Sequence, residues 1–137
     1  MSVPDTLVAA YQAALYEVDV TAESTLTLQI GETCDRLLHA HGATTAAFLT
    51  AYNPRSRKQS AEDNAAAHRA LLEAVARMGK VTLPARGRDP KGEWPMEPGL
   101  FILDLTREQA LALARRFGQY ALVWLESGAP AALVCAA

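Results

Sequence analysis

The chain has 137 residues, of which 50% are apolar and 20% charged, the composition of a globular protein with an ordinary core. Its formal net charge of −2 supplies no basic field, so general nucleic-acid binding is not expected. No apolar run approaches the ~20 residues that span a bilayer, and the first residues begin no signal peptide, so we expect a cytoplasmic protein without a membrane partner.

The first third of the chain predicts a helix, a strand and a second helix. The first helix is expected over residues 4–18, with Ser2 as its N-cap and one apolar stripe, formed by Leu7, Tyr11, Ala14 and Val18. Alternating apolar residues over 25–30 predict a strand with one face in solvent. The stripe over 33–41 predicts a helix that stops at Gly42.

The middle of the chain predicts two strands around a long helix. Residues 45–52 form a mostly apolar run that suits a buried strand. The pattern that begins at Ser60 predicts a capped helix over 60–79, and a short strand follows over 80–85. Residues 87–98 contain three prolines and two glycines, which predicts a loop that is long for a compact domain.

The last third predicts a strand over 99–105 and then a helix that Thr106 caps together with Gln109. A closing hairpin is expected from residues 120–125 and 131–134, because a turn-forming stretch separates these two apolar runs.

The resulting order, α-β-α-β-α-β-β-α-β-β, predicts an α+β (mixed α/β) protein. We expect a single domain over 1–137, with one mixed sheet and helices packed against it. Strand–helix–strand units favour parallel pairs with right-handed crossovers, and the closing hairpin adds an antiparallel pair. The strand order is left open.

The first candidate site follows the buried strand, where the segment Thr50-Ala51-Tyr52-Asn53-Pro54-Arg55-Ser56-Arg57 leads toward the capped helix. Ligands of α/β sheets favour such a crevice, where helix N-termini present free N–H groups, and arginine and serine suit a phosphate or a carboxylate. The candidate ligand-binding residues are Asn53, Arg55, Ser56, Arg57, Asn64 and His68. The structural alternative is an Asn-Pro turn, solvated arginines and a histidine at the edge of the core.

The second candidate is the loop that contains Trp94 and Glu97. A tryptophan among prolines can roof a pocket and stack on a ligand, or it can plug the edge of the sheet. Glu97 can act as a general base, although an ion pair with a nearby arginine is the simpler expectation.

Catalytic and cofactor motifs are otherwise sparse. No G-x-S-x-G elbow exposes Ser56, and His39 and His41 point apart on their helix, so we expect no metal and no cofactor. Arg115 and Arg116 at the end of the fourth helix are interpreted as structural, since they complement the helix dipole. Whether the protein is an enzyme stays open.

Four spaced motifs together resemble a known family. They are Thr50-Ala51-Tyr52-Asn53-Pro54-Arg55-Ser56, Glu62-Asp63-Asn64, Trp94-Pro95-Met96-Glu97-Pro98 and Phe117-Gly118-Gln119-Tyr120-Ala121. In this order they are similar to the bacterial domain-of-unknown-function family number three thousand two hundred and ninety-three, over residues 11–134. The resemblance implies a bacterial protein and supplies no activity, cofactor or catalytic residue.

Two functional hypotheses follow. The first is a small-molecule or anion-binding protein, whose ligand would be a small anionic metabolite held between the Asn53–Arg57 turn and the Trp94 loop. The second is a protein-interaction module without catalytic activity, in which Trp94 or the edge of the last strand binds a protein partner.

Overall fold

The computed structural model describes residues 3–136. Within this range the helices are α1 (Asp5–Ala13), α2 (Asp35–Ala40), α3 (Ala61–Arg77) and α4 (Arg107–Arg116), with a short 3-10 turn at Pro54–Ser56. The strands are β1 (Leu15–Thr21), β2 (Ser24–Leu28), β3 (Thr45–Leu49), β4 (Thr82–Arg88), β5 (Glu97–Leu103), β6 (Ala121–Glu126) and β7 (Ala132–Cys135). The predicted mixed α/β class is confirmed.

One curled sheet contains all seven of these strands in the order β2-β1-β4-β5-β3-β6-β7. Every neighbouring pair is antiparallel, so the predicted parallel pairs are wrong. The helices α2, α3 and α4 do connect strands, as expected, and the two strands that each helix joins run in the same direction. At least one antiparallel strand lies between them in the sheet, so they do not pair. The predicted hairpin of β6 and β7 is confirmed.

The N-terminal helix is shorter than predicted, because an extra strand follows it. α1 ends at Ala13, Ala14 is extended, and β1 begins at Leu15. Within β1, Tyr16 and Val18 are buried while their neighbours are partly exposed, which is the two-residue period of a strand rather than a helical stripe. The proposed Ser2 cap lies outside the described residues.

The proline-rich loop is also shorter than predicted. β4 continues to Arg88 and β5 begins at Glu97, which leaves a loop of residues 89–96. Arg86 helps to hold the end of β4 in the sheet, since its guanidinium donates to Glu17 and Asp19 of β1 over 2.9–3.1 Å. These bonds to two carboxylates, together with the pairing of β4 with β1, therefore keep residues 87 and 88 in the strand, despite the glycine and proline residues nearby.

Both faces of the sheet are covered. Phe48, Phe101 and Val123 belong to the core on one face, which includes α2, whereas Leu49 and Ile102 belong to the core beneath α3 and α4. None of the helices described in residues 3–136 combines the length and hydropathy needed to cross a bilayer.

Candidate functional site

A partly enclosed cavity of about 600 Å³ lies where α1, the end of β3 and the loop 89–96 meet. Most of its wall is apolar, and much of that wall is aromatic. The aromatic side chains that line it are Tyr11, Tyr16, Phe48, Tyr52 and Trp94. The rings of Tyr16 and Phe48 are in tilted contact at 5.0 Å, so part of the aromatic wall is packed in place.

Glu97, Asn53, Asn64 and Gln59 form a hydrogen-bonded network in the wall of this cavity. The amide of Asn53 donates to the Glu97 carboxylate over 2.8 Å, and the Asn53 carbonyl accepts from the Asn64 amide over 3.0 Å. The Asn64 carbonyl accepts from the backbone N–H of Asn53 and from the amide of Gln59, each over 2.8 Å. These bonds hold the side chain of Asn53, which is the residue that donates to Glu97.

The turn that carries Asn53 has an unusual backbone. Asn53, Arg55 and Ser56 all have positive φ, of 46°, 57° and 57°. Asparagine tolerates this conformation better than most residues, which explains its position at the start of the turn. Asn64 is 6% exposed and directs its side chain back into the turn, so α3 holds the strained segment in place.

The Phe117-Gly118-Gln119 motif supports the same turn from the other side. The backbone N–H of Arg55 donates to the Gly118 carbonyl over 2.7 Å, and the Gln119 amide donates to the Tyr52 carbonyl over 3.1 Å. Two of the motifs identified in sequence therefore form one structural unit.

Glu97 has no cationic partner among the residues that the structure describes, so its predicted ion pair with an arginine is wrong. The nearby Arg86 and Arg88 pair with Glu17 and Asp19 instead. Desolvation by the cavity wall raises the pKa of Glu97, and the hydrogen bond from Asn53 opposes this shift. The side chain is thus a carboxyl group whose charge is poorly compensated by the protein.

The structure brings only some of the predicted site residues together. Five of the eight line the cavity: Asn53, Ser56, Asn64, Trp94 and Glu97.

Arg55 and Arg57 are exposed and line a neighbouring hollow of about 480 Å³. Arg115 and Arg116, interpreted from sequence as structural, line that second hollow as well, and Lys58 belongs to the walls of both. Whether any of these residues contacts a ligand stays a prediction.

His68 lines neither hollow. Its ring lies edge-on to Tyr52 with 6.3 Å between centroids, and its buried Nδ1 has no hydrogen-bond partner among the described residues. Burial lowers the pKa of His68, which favours the neutral ring. The position of His68 at the edge of the core fits the structural alternative, but its Nδ1 is not satisfied by a hydrogen bond within residues 3–136, as a satisfied core histidine would require.

Tyr11 and Tyr16 are among the cavity residues that sequence analysis missed, as is Gln59 of the polar network. The helix predicted over residues 4–18 is too long: it includes Tyr16 and places Tyr11 on its core-facing stripe. Tyr16 donates its hydroxyl hydrogen bond to the Tyr11 carbonyl over 2.7 Å, which ties β1 to the end of α1. The alternation of Tyr16 and Val18 was the signal that could have revealed the strand.

No group of three or more histidine, cysteine, aspartate or glutamate side chains within residues 3–136 is arranged to hold a metal ion. The fold and cavity define a mixed α/β protein built on one antiparallel sheet, with a partly enclosed hollow beside the end of β3.

The chain belongs to the family described as "Protein of unknown function (DUF3293)", whose model matches residues 49–122. The match confirms the family resemblance found in the sequence, over a shorter stretch than expected. It includes Asn53, Asn64 and Glu97 but not the cavity tyrosines of α1 and β1. No curated protein and no solved structure matches the chain.

Proposed function

We propose that this protein binds a small molecule in the cavity between α1, the Asn53 turn and the loop 89–96. The observation that carries the proposal is a single carboxylate, Glu97, placed on an otherwise mainly apolar and aromatic wall. Binding sites for small molecules commonly occupy 300–1,000 Å³ and combine apolar surface with a few fixed polar groups. The cavity of about 600 Å³ has this size and composition.

The fixed geometry of the polar network supports the same function. Asn53 is held by Asn64 and Gln59 before any ligand arrives, so the orientation of Glu97 need not be organised at the moment of binding. A group that is positioned in advance adds affinity because less conformational entropy is lost on binding. Glu97 and Asn53 are therefore polar groups that are already oriented before a ligand binds.

Thermal unfolding in the presence of a metabolite library tests this function. A ligand at 100 times its Kd is expected to stabilise the protein by about 2.7 kcal/mol. Trp94→Ala should weaken any hit by removing stacking surface, whereas Val81→Ala is the control, because Val81 is 60% exposed and lies outside the cavity. A library without hits, or hits that Trp94→Ala leaves unchanged, would contradict binding in this cavity.

A second candidate is anion binding in the neighbouring hollow. Within the described residues its lining contains no carboxylate and five basic side chains: Arg55, Arg57, Lys58, Arg115 and Arg116. Such a cluster attracts phosphate or carboxylate groups, and this attraction weakens as the salt concentration rises. The anionic metabolite predicted from sequence is better suited to this hollow than to the cavity, which contains Glu97.

Titration with inorganic phosphate at constant ionic strength tests the second candidate. Phosphate should raise the unfolding temperature of the wild type, and Arg55→Ala should reduce the rise. Arg36→Ala is the matched control, because Arg36 is an exposed arginine of α2 outside both hollows. Equal shifts in all three proteins would contradict a specific site.

The protein-interaction alternative stays a prediction. β7 lies at one edge of the sheet, as that alternative requires. Trp94, its proposed anchor, packs against the core and lines the cavity, which favours a ligand-facing role over a free interaction surface.

A further inference from the structure

We infer that the ligand of the cavity carries a cationic amine on a flat apolar body, with the amine paired to Glu97. The inference rests on the proposed function and names the chemical class of ligand for that site. It begins from Glu97, the one acidic side chain that the described residues contribute to the cavity lining, and from the groups around it.

The carboxylate of Glu97 is incompletely satisfied. Asn53 donates to one oxygen, Oε2, and no other hydrogen bond or ion pair to the Glu97 carboxylate is present in the described part of the chain. A half-buried carboxylate with one neutral donor loses much of its hydration without gaining a counter-charge. A ligand that brings a positive charge and two or three N–H donors would supply what the protein does not.

The surrounding aromatic residues favour the same ligand. The faces of tyrosine, phenylalanine and tryptophan carry negative electrostatic potential and attract ammonium groups, and they also pack against flat apolar bodies. Five such side chains line the cavity that contains Glu97. An anionic head would instead meet the carboxylate and the aromatic faces, both of which repel it.

The other titratable side chains of the lining do not neutralise Glu97. They are Tyr11 of α1, Tyr16 of β1, and Tyr52 and Lys58, which follow β3. Burial raises the pKa of both Tyr11 and Tyr16, so these phenols remain neutral. Lys58 is exposed, lies on the wall shared with the arginine-lined hollow, and forms no ion pair with Glu97.

Three matched probes test the inference by isothermal titration calorimetry with the full chain. They are 2-(2-naphthyl)ethylamine, the corresponding alcohol and the corresponding carboxylate, which differ only in the head group. Near neutral pH the amine should bind at least about tenfold more tightly than the alcohol, the effect expected of a charge-assisted hydrogen bond. Glu97→Gln should abolish this preference, and Glu93→Gln, in the loop 89–96 that precedes β5 but outside the cavity lining, should leave it intact.

A second measurement needs only the wild type. Because the pKa of Glu97 is raised, amine affinity should fall as pH decreases through that pKa, and binding should release protons there. Proton release is measured by repeating the titration in buffers with different heats of ionisation. Equal or tighter binding of the alcohol or carboxylate, or amine binding without proton release, would overturn the inference and leave the small-molecule function standing. If no probe binds, the inference fails, and the metabolite screen then decides the proposed function separately.

Discussion

Gly118 supports the turn at Pro54 by direct contact. A Cβ atom at position 118 would lie 2.8 Å from the Cβ of Pro54, and Gly118 has a φ of +68°. The carbonyl of the same glycine accepts the 2.7 Å hydrogen bond from Arg55. The end of α4 and the turn beside the cavity are therefore close enough that only glycine fits between them.

Gly118→Ala is expected to destabilise the protein by about 2–4 kcal/mol. Roughly 1 kcal/mol comes from the left-handed backbone conformation, and the remainder comes from overlap with Pro54. Gly128→Ala is the matched control, because Gly128 has a φ of +84° but open space around the added methyl group. Urea unfolding of both variants measures the difference, and equal losses would show that the contact with Pro54 contributes nothing.

Asn64→Ala should cost about 2–3 kcal/mol in the free energy of unfolding. The change removes the acceptor of two N–H groups, from Asn53 and Gln59, and buried donors without partners are costly. It should also weaken binding in the cavity, since Asn53 would no longer be held toward Glu97. Glu62→Ala, an exposed change in the same helical turn, should cost about 0.5 kcal/mol or less. Comparable losses in the two variants would contradict the role of the network.

Local signals in the sequence were sufficient to locate the starts of α3 and α4. Thr106 and Gln109 form the predicted reciprocal capping box, and Ser60 accepts from the backbone of Asp63 as expected of an N-cap. Such signals depend on contacts within a few residues, so they are visible in the chain itself. The strand pairing was less visible, because it depends on residues far apart in sequence.

Sequence analysis identified the two segments that meet at the cavity, but it did not separate the residues that line the cavity from those that line the second hollow. The Asn53 turn and the Trp94 loop were both identified, and Asn53 and Glu97 are 2.8 Å apart across 44 residues of sequence. Arg55 was grouped with them because it is close in sequence, but Arg55 lines the second hollow, whereas Ser56, with the same φ of +57°, lines the cavity. Positive φ at a non-glycine residue leaves little trace in composition.

Gly99→Ala tests the close packing of β5 against β3. An added Cβ would lie 2.7 Å from the Leu49 carbonyl oxygen and 2.9 Å from the Phe48 ring, and the backbone oxygen cannot easily move away. We expect Gly99→Ala to lower the free energy of unfolding by about 3 kcal/mol or more. Gly87→Ala on the neighbouring strand β4 is the control, since its nearest contact would be 3.7 Å and its effect should stay within about 1 kcal/mol. A mild effect of Gly99→Ala in thermal or urea unfolding would show that the two strands can separate.

The raised pKa of Glu97 predicts an unusual dependence of stability on pH. A carboxyl group with a higher pKa in the folded protein than in the unfolded chain favours folding when it is protonated, so ionisation opposes folding. Its unfavourable contribution should grow as pH rises from about 4, the ordinary pKa of glutamate, and level off above the pKa of the folded state. Glu97→Gln lacks this titration and can still accept the hydrogen bond from Asn53. The variant should therefore gain stability relative to the wild type as pH rises to 8, measured as the difference in urea unfolding free energies. Glu93→Gln should show no such trend, and a Glu97→Gln difference that is flat or shrinks with rising pH would mean that the carboxylate is well accommodated without a ligand.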